Sequence, residues 1–384
     1  MFTNTILKEN IKLVDTAFSL KENGLLPDTY VIDLDQVEKN ARAIFDEAEK
    51  QGVKLYFMLK QIGRNPLIAK KLIEIGYSGA VCVDFKDALV MKKNNIPIGH
   101  MGHLVQIPDC LIETFLKYGV EIITVFSVDK LLKINETAKK LGLIQNISLR
   151  IYGDGDNLYD GQQCGFSDAE VLDIVKMSTL LKNVKICGLT TFPCFLYDEK
   201  QKKVLPTRNM LHEQRLAELL EEKGLKIQYI NAPSATMTET LKMFKEFGAN
   251  VGEPGHALTG TTPMHAEFSL PEKVAYTYVT EISHNFMGDA FCYGGGLYRR
   301  GHAQFAIMKE NGEYKKEILT AVNAEAIDYH FKIDGEKKVG DTVLITARTQ
   351  IFVTRSDVAV VSGIQTGNIK IEGIFDSQGE KKYE

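Results

Sequence analysis

The chain has no closely spaced cysteine pair. Its six cysteines, Cys82, Cys110, Cys164, Cys187, Cys194 and Cys292, are scattered, and none forms a CxxC motif. That spacing excludes a zinc knuckle or a disulfide scaffold. No apolar run approaches the roughly 20 residues that a membrane-spanning helix needs. The opening MFTNTILKENIKLVDTAF lacks a basic region followed by a long apolar stretch, so it does not read as a signal peptide. Positive charge is not in excess: the formal net charge is -4, against the basic face that a nucleic-acid binder needs. Low-complexity tracts are absent too. Together these absences predict a cytoplasmic protein with neither a membrane nor a nucleic acid as partner.

What remains is a globular composition, 44% hydrophobic and 25% charged. The 384 residues exceed one ordinary core and imply a large domain with a smaller one. Short β-rich runs recur from Tyr30: TYVIDL (29–34), KLYFMLK (54–60), GAVCVD (79–84), IGHMGHLVQI (98–107), EIITVF (121–126), NISLRIYG (146–153), VKICGLTTF (184–192) and IQYINA (227–232). Amphipathic segments such as QVEKNARAIFDEAEKQG separate them, with apolar residues three and four apart. The last of these, TMTETLKMFKEFG, ends in Gly248, a helix-stop signal. Eight strand–helix units favour a (β/α)8 TIM-type barrel over its rival, an open doubly wound sheet. After Pro263 helix signals vanish, and strands alternate with turns such as ENGE and IDGE. The expected organisation is a barrel over 28–262 and an all-β domain over 263–384. Residues 1–27 are expected to form a helix packed on the β-domain.

Barrels of this kind place reactive groups at the C-terminal ends of the strands. That rule singles out Lys60, Asp84, Gln106, Ser127, Tyr152 and the stretch Thr190 to Pro193. Lys60 closes the run LYFML; desolvation there would disfavour its ammonium and free the amine as a nucleophile. A solvated lysine at a strand end is the plain alternative. Ser234, in NAPSATMTET, can cap the next helix or help a helix N-terminus hold phosphate. In NVGEPGHALTG, Gly252 and Gly255 permit close backbone approach to a ligand, and Glu253 sits between turn formers. The alternative is a surface turn. In AFCYGGG, Tyr293 or Cys292 could act as acid or base, but alternation along a strand keeps both from facing one site. His100 and His103 flank Gly102; three apart on a strand, they would face opposite sides and make a poor metal-ligand pair.

The order of these features resembles that of the fold-type-III pyridoxal-phosphate (PLP) enzymes, the family of alanine racemases, ornithine-type decarboxylases and D-amino-acid lyases. It looks closest to a branch called YhfX-like. YFMLKQIGRNP is similar to the segment holding the PLP lysine, which implies a Schiff base on Lys60. Where racemases continue with a phosphate-contacting tyrosine, this chain has Gly63-Arg64. Ser234 matches the family's serine, and Gly255 with the His256 amide would help hold the phosphate. Racemases carry R-P-G and decarboxylases E-P-G; here the text is Glu253-Pro254-Gly255. A carboxylate beside the pyridine nitrogen favours its protonation and makes the ring a strong electron sink. Tyr293 matches the racemase tyrosine, while decarboxylases use a cysteine, near Cys292. Thr191 stands where the family often has a histidine over the ring, and Gln163 where racemases have an arginine.

The resemblance implies a homodimer with shared active sites and an amino-acid substrate. Its leading implication is a PLP-dependent racemase or epimerase, with Lys60 and the partner subunit's Tyr293 on opposite faces of the α-carbon. The alternatives are a PLP decarboxylase or lyase using Glu253 and Cys292, and a PLP-binding protein without catalysis.

Overall fold

The alternating runs fold as strands and helices. The computed structural model describes residues 2–296, 298–320, 322–323 and 325–383. They form two compact units: residues 43–59 with 69–255, and residues 1–42 with 60–68 and 256–384.

The first unit holds eight parallel strands. Their order is Lys54–Leu55, Val251–Gly252, Tyr229–Ala232, Val184–Thr190, Gln145–Arg150, Ile122–Val125, Ile98–Met101 and Ala80–Cys82. Phe57, just beyond the first strand, bridges to Ala80 in the last, so the order closes into a barrel. Parallel strands under a coat of helices are buried on both faces, which is why they read as continuous apolar runs. Several of the helices start at side-chain caps. Asp84 and Ser127, two of the strand-end residues singled out above, accept the backbone N–H of Asp87 and Lys130 and begin helices Phe85–Lys93 and Val128–Leu141. Gly248 does stop its segment, in the left-handed conformation at φ 69°.

The second unit is built on a ten-stranded, mainly antiparallel sheet. Helices Thr3–Glu9 and Ile11–Glu22 belong to its core, where Ile6, Leu13, Val14 and Phe18 pack with Val279, Ile307 and Leu344. Two of its strands escaped the sequence reading: Glu313–Thr320, whose side chains are mostly exposed and charged, and the three-residue Lys381–Tyr383.

Two strand assignments need correction. TYVIDL does not open the barrel. Thr29–Asp33 instead lies in the ten-stranded sheet, antiparallel to Tyr276–Phe286 and parallel to Asp357–Ser362. All five of its residues are buried. An apolar run buried on both faces suits the middle of either sheet, and periodicity cannot choose between them. The true eighth barrel strand is Val251–Gly252, hidden in the segment read as a glycine turn. Lys60 therefore follows the first barrel strand, Ser234 the seventh and Glu253 the eighth.

The triple glycine after Tyr293 is packed against the protein itself. A Cβ at Gly294 would strike the Asp328 carbonyl, at Gly295 the Asp28 carboxylate, and at Gly296 the Tyr278 ring. Asp28, held at φ 62°, accepts hydrogen bonds from Tyr278 and Ser356. Burial pushes its carboxyl up to about 6. Between the ordinary carboxylate value and about 6, the folded chain binds more protons than the unfolded one. Stability is therefore lost as pH rises through this window, by at most about 3 kcal/mol. Asp28→Asn keeps the acceptor and removes the titration. Thermal melts should show the variant gaining on the parent as pH rises from 4 to 7; parallel curves would remove Asp28 as the source.

Candidate active site

The C-terminal ends of the barrel strands carry a buried polar cluster. Glu253 follows directly on the eighth strand, and its side chain is fully enclosed. Its Oε1 accepts from Asn231 Nδ2 at 2.9 Å and contacts His100 Nδ1 at 2.6 Å. Among the described residues its Oε2 is buried with no hydrogen-bond partner. Asn231 also donates to Thr190 Oγ1 at 3.1 Å, and His100 Nε2 lies 2.6 Å from Thr124 Oγ1. The strands of Asn231 and His100 stand opposite each other in the ring of eight, yet these side chains approach to 3.4 Å. Such a contact can only pass through the barrel lumen.

Arg150, at the end of the fifth strand, adds a cation to this lumen. It is 1% exposed. Its Nη1 is 3.4 Å from both Nδ1 and the carbonyl oxygen of His103, while its Nε has no hydrogen-bond partner among the described residues. Among the described residues no carboxylate pairs with it. Burial holds the guanidinium below its usual pKa. A desolvated charge of this kind calls for an anion.

His103 reaches the cluster by a route that strand periodicity misses. The strand ends at Met101, and Gly102 turns the chain at φ 89°, where a Cβ would meet the Thr124 carbonyl. The His100 and His103 rings thus lie 5.5 Å apart, on one side and not on opposite faces. Among the described residues, no group of three or more histidines, cysteines or carboxylates could hold a metal ion. Gln106 secures the turn by donating to the Gly102 and Thr124 carbonyls.

Ser234 is buried after the seventh strand, and it does not cap the next helix; Met237 occupies that position without a side-chain bond. Ser234 Oγ instead accepts from the backbone N–H of Cys194 at 2.7 Å and of Phe195 at 2.8 Å. Its hydroxyl proton is left to donate. Ala235 beside it has φ 53°, a conformation rare for a residue with a Cβ. Thr191 is buried, but its hydroxyl accepts from Asn209 on helix Arg208–Glu222. Thr190 is the threonine whose hydroxyl joins the lumen cluster. Gln163 is exposed and bonded locally, to the Gly161 amide and Asp160. Gly255 ends this unit's last segment, just after Pro254, whose carbonyl accepts the Met58 N–H at 2.9 Å.

The other unit carries Lys60, His256, Cys292 and Tyr293. Lys60 opens a short 3-10 turn, Lys60–Ile62, and is half-buried. His256 is half-buried by exposed area, yet its imidazole is enclosed: Nδ1 is buried without a hydrogen-bond partner. Nε2 accepts from Arg348 Nε at 3.1 Å. Desolvation first, then the charges of Arg348 and Lys60, hold its pKa well below the ordinary histidine value. His256 is therefore neutral and offers Nδ1–H. Arg64, in place of the racemases' tyrosine, is buried and stacks over Phe352 at 5.1 Å.

Strand Asp289–Tyr293 buries one of its two candidates and exposes the other. Cys292 is 0% exposed and Tyr293 40% exposed. Burial pushes the Cys292 thiol up to about 12, so it is a poor proton donor or base near neutrality. Tyr293 has its ring outward, 6.0 Å from that of His330.

Sequence reasoning missed Thr124, Arg150 and Asn231, and it weighed His100 only as a metal ligand. The signal was present as polar residues inside otherwise apolar strands, at IGHM, IITV, QNISLR and YINA. A strand buried on both faces has no reason to carry them unless they face one another or a ligand.

Comparison with known proteins shows the family of the chain. Residues 32–263 match the model of the alanine racemase N-terminal domain, and residues 277–371 that of the YhfX-like C-terminal domain. The chain is 43% identical over 382 residues to the uncharacterized protein YhfX of Escherichia coli strain K12, covering 99% of both. Among solved structures, D-threonine aldolase from Filomicrobium marinum superposes with a TM-score of 0.67 at 14% identity, over 91% of this chain and 95% of the aldolase. The alanine racemase of Clostridium difficile 630, in complex with cycloserine, gives 0.66 at 18% identity, over 92% and 99%. At these identities the two structures attest the fold. No helix among the described residues is long and apolar enough to cross a membrane.

Proposed function

The chain belongs to the YhfX-like family of alanine-racemase-type proteins, and from that premise we propose that it is a PLP-dependent enzyme that racemises or epimerises an amino acid. The observation that carries the cofactor part of this reading is Glu253: a buried carboxylate with one oxygen held by two neighbours and the other, among the described residues, left without a partner. A buried acceptor left unmade is costly, and a protonated ring nitrogen is a donor that would satisfy it. Ser234, with its free proton, would supply a donor for a phosphate. Gly255 would let the backbone approach it.

When bound, the cofactor supplies an electron sink that weakens the bonds at the substrate's α-carbon. The protein supplies the rest. Lys60 would hold the cofactor through its amine and exchange a proton on one face of the α-carbon. The partner subunit's Tyr293 would serve the opposite face, which requires a homodimer with shared sites; its exposure is compatible with that. Arg150 would take the substrate carboxylate, the anion missing from its surroundings. Thr191, turned toward Asn209, would hold the wall behind the ring.

Decarboxylation or lyase chemistry is the second reading, favoured by Glu253 in place of arginine. Cys292 does not support it, because its thiol is enclosed. One experiment separates the readings. Purified protein is titrated with PLP while its visible absorbance is followed, then incubated with L- and D-amino acids under chiral and gas analysis. The expected result is a visible band with interconversion of enantiomers. Carbon dioxide or aldehyde release without the other enantiomer selects the second reading. A band with no turnover of any amino acid leaves a PLP-binding protein, and no band overturns the cofactor assignment.

A further inference from the structure

His100 matches nothing in the motifs that identified the site, yet it is the most constrained side chain in the lumen. Its side chain is 2% exposed, and both ring nitrogens make contacts of 2.6 Å, Nδ1 to Glu253 Oε1 and Nε2 to Thr124 Oγ1. An imidazole so placed has three states: a proton on Nδ1, on Nε2, or on both. The neighbours decide among them.

Thr124 is fully buried, and among the described residues its hydroxyl contacts His100 Nε2 alone. A buried hydroxyl that cannot donate loses a hydrogen bond. The Thr124 proton therefore belongs on the line to Nε2, which must accept. On the other side, the two N–H bonds of Asn231 go to Glu253 Oε1 and Thr190 Oγ1, so neither is left for Nδ1. Rotating the Asn231 amide would set its oxygen against the Glu253 carboxylate. Nδ1 is then the donor to Glu253.

We propose that His100 is a positioning residue that acts through Glu253. Thr124 locks it as the neutral Nδ1–H tautomer. In that state it joins Asn231 in saturating Oε1 and leaves Oε2 as the carboxylate's single free acceptor in an enclosed lumen. The pair thereby selects a ligand that brings a cationic ring N–H, a protonated pyridine-type heterocycle, over an isostere with carbon at that position. This rests on the reading of the site as PLP-binding.

Two measurements test it. Nitrogen-15 NMR of the imidazoles in the ligand-free protein should show His100 with Nδ1 protonated and Nε2 bare. Thr124→Val should disturb that pattern and Thr124→Ser restore it. A doubly protonated ring or an Nε2–H tautomer overturns the proposal whether or not PLP binds. The second measurement compares the dissociation constants of PLP and of its analogue with carbon replacing the ring nitrogen. The parent should favour PLP at least tenfold. His100→Gln, which offers one donor and one acceptor without charge, should keep most of that preference, whereas His100→Leu should erase it. Equal weakening of both ligands by His100→Leu would mean a merely structural role and overturn the proposal. If the parent binds neither ligand, the PLP reading fails, and the NMR pattern still decides the tautomer.

Discussion

Lys60→Ala is expected to leave a folded protein that has lost its visible absorbance with PLP and its activity. Lys60 opens a three-residue turn and is only half-buried, so shortening it opens no core cavity and the melting temperature should stay within a few degrees. The chemistry should be affected without such tolerance. Removal of a residue that both holds the cofactor and moves a proton abolishes two functions at once, and losses on the order of a thousandfold or more are typical when such a group is deleted. Borohydride reduction followed by mass spectrometry should fix the cofactor to Lys60 in the parent and to nothing in the variant. PLP should still bind more weakly, through Glu253 and Ser234. A further readout lies in His256, whose pKa is depressed partly by the Lys60 charge. In Lys60→Ala it should move upward, toward the ordinary histidine value. A variant that keeps both the visible band and the reducible linkage would assign the cofactor to another lysine.

The barrel and the β-domain were legible in the sequence because strand–helix alternation and the end of helix signals after Pro263 are local patterns. The limits of legibility were also physical. Thr29–Asp33 is apolar on both faces, and both sheets bury such strands, so only tertiary pairing places it. Val251–Gly252 is a strand of two residues between turn formers and gives no periodic signal. Chain-local motifs were enough to single out Lys60, Ser234, Glu253, His256 and Tyr293 as candidates. They were not enough for His100 and Arg150, because their meaning depends on partners brought from distant strands. The strand argument against His100 and His103 lying together failed for a related reason. It assumed a continuous strand, and the positive φ of Gly102 ends it. The choice between Cys292 and Tyr293 needed the register of their strand, in which Cys292 pairs with Phe331 and Ile282 inside the sheet and Tyr293 points out.

Arg150→Met is expected to make the ligand-free protein more stable while it damages substrate binding. The guanidinium is enclosed, its Nη1 contacts to His103 are both long at 3.4 Å, and its Nε has no hydrogen-bond partner among the described residues. Desolvating a cation costs several kcal/mol, and weak contacts of this kind recover little of it. Methionine keeps much of the arginine stem's length and carries no charge to desolvate. Glu253 and Glu213 attract the guanidinium at longer range, which offsets part of its cost. Burial pushes the Glu213 carboxyl well above its usual value, so its share is small near neutral pH. The balance favours the variant by about 1 to 4 kcal/mol, the range seen when buried charges are replaced by apolar groups. Denaturant melts of the ligand-free proteins measure that difference. Steady-state kinetics should show the opposite sign, with KM for an amino acid raised at least tenfold, since a carboxylate bound by a buried arginine makes charge-assisted bonds of about 1.5 to 3 kcal/mol. A lumen evolved for stability alone would give the reverse pattern: Arg150→Met would destabilise the fold and leave KM unchanged. A cation retained at a cost to the empty protein is the signature of a group kept for its ligand.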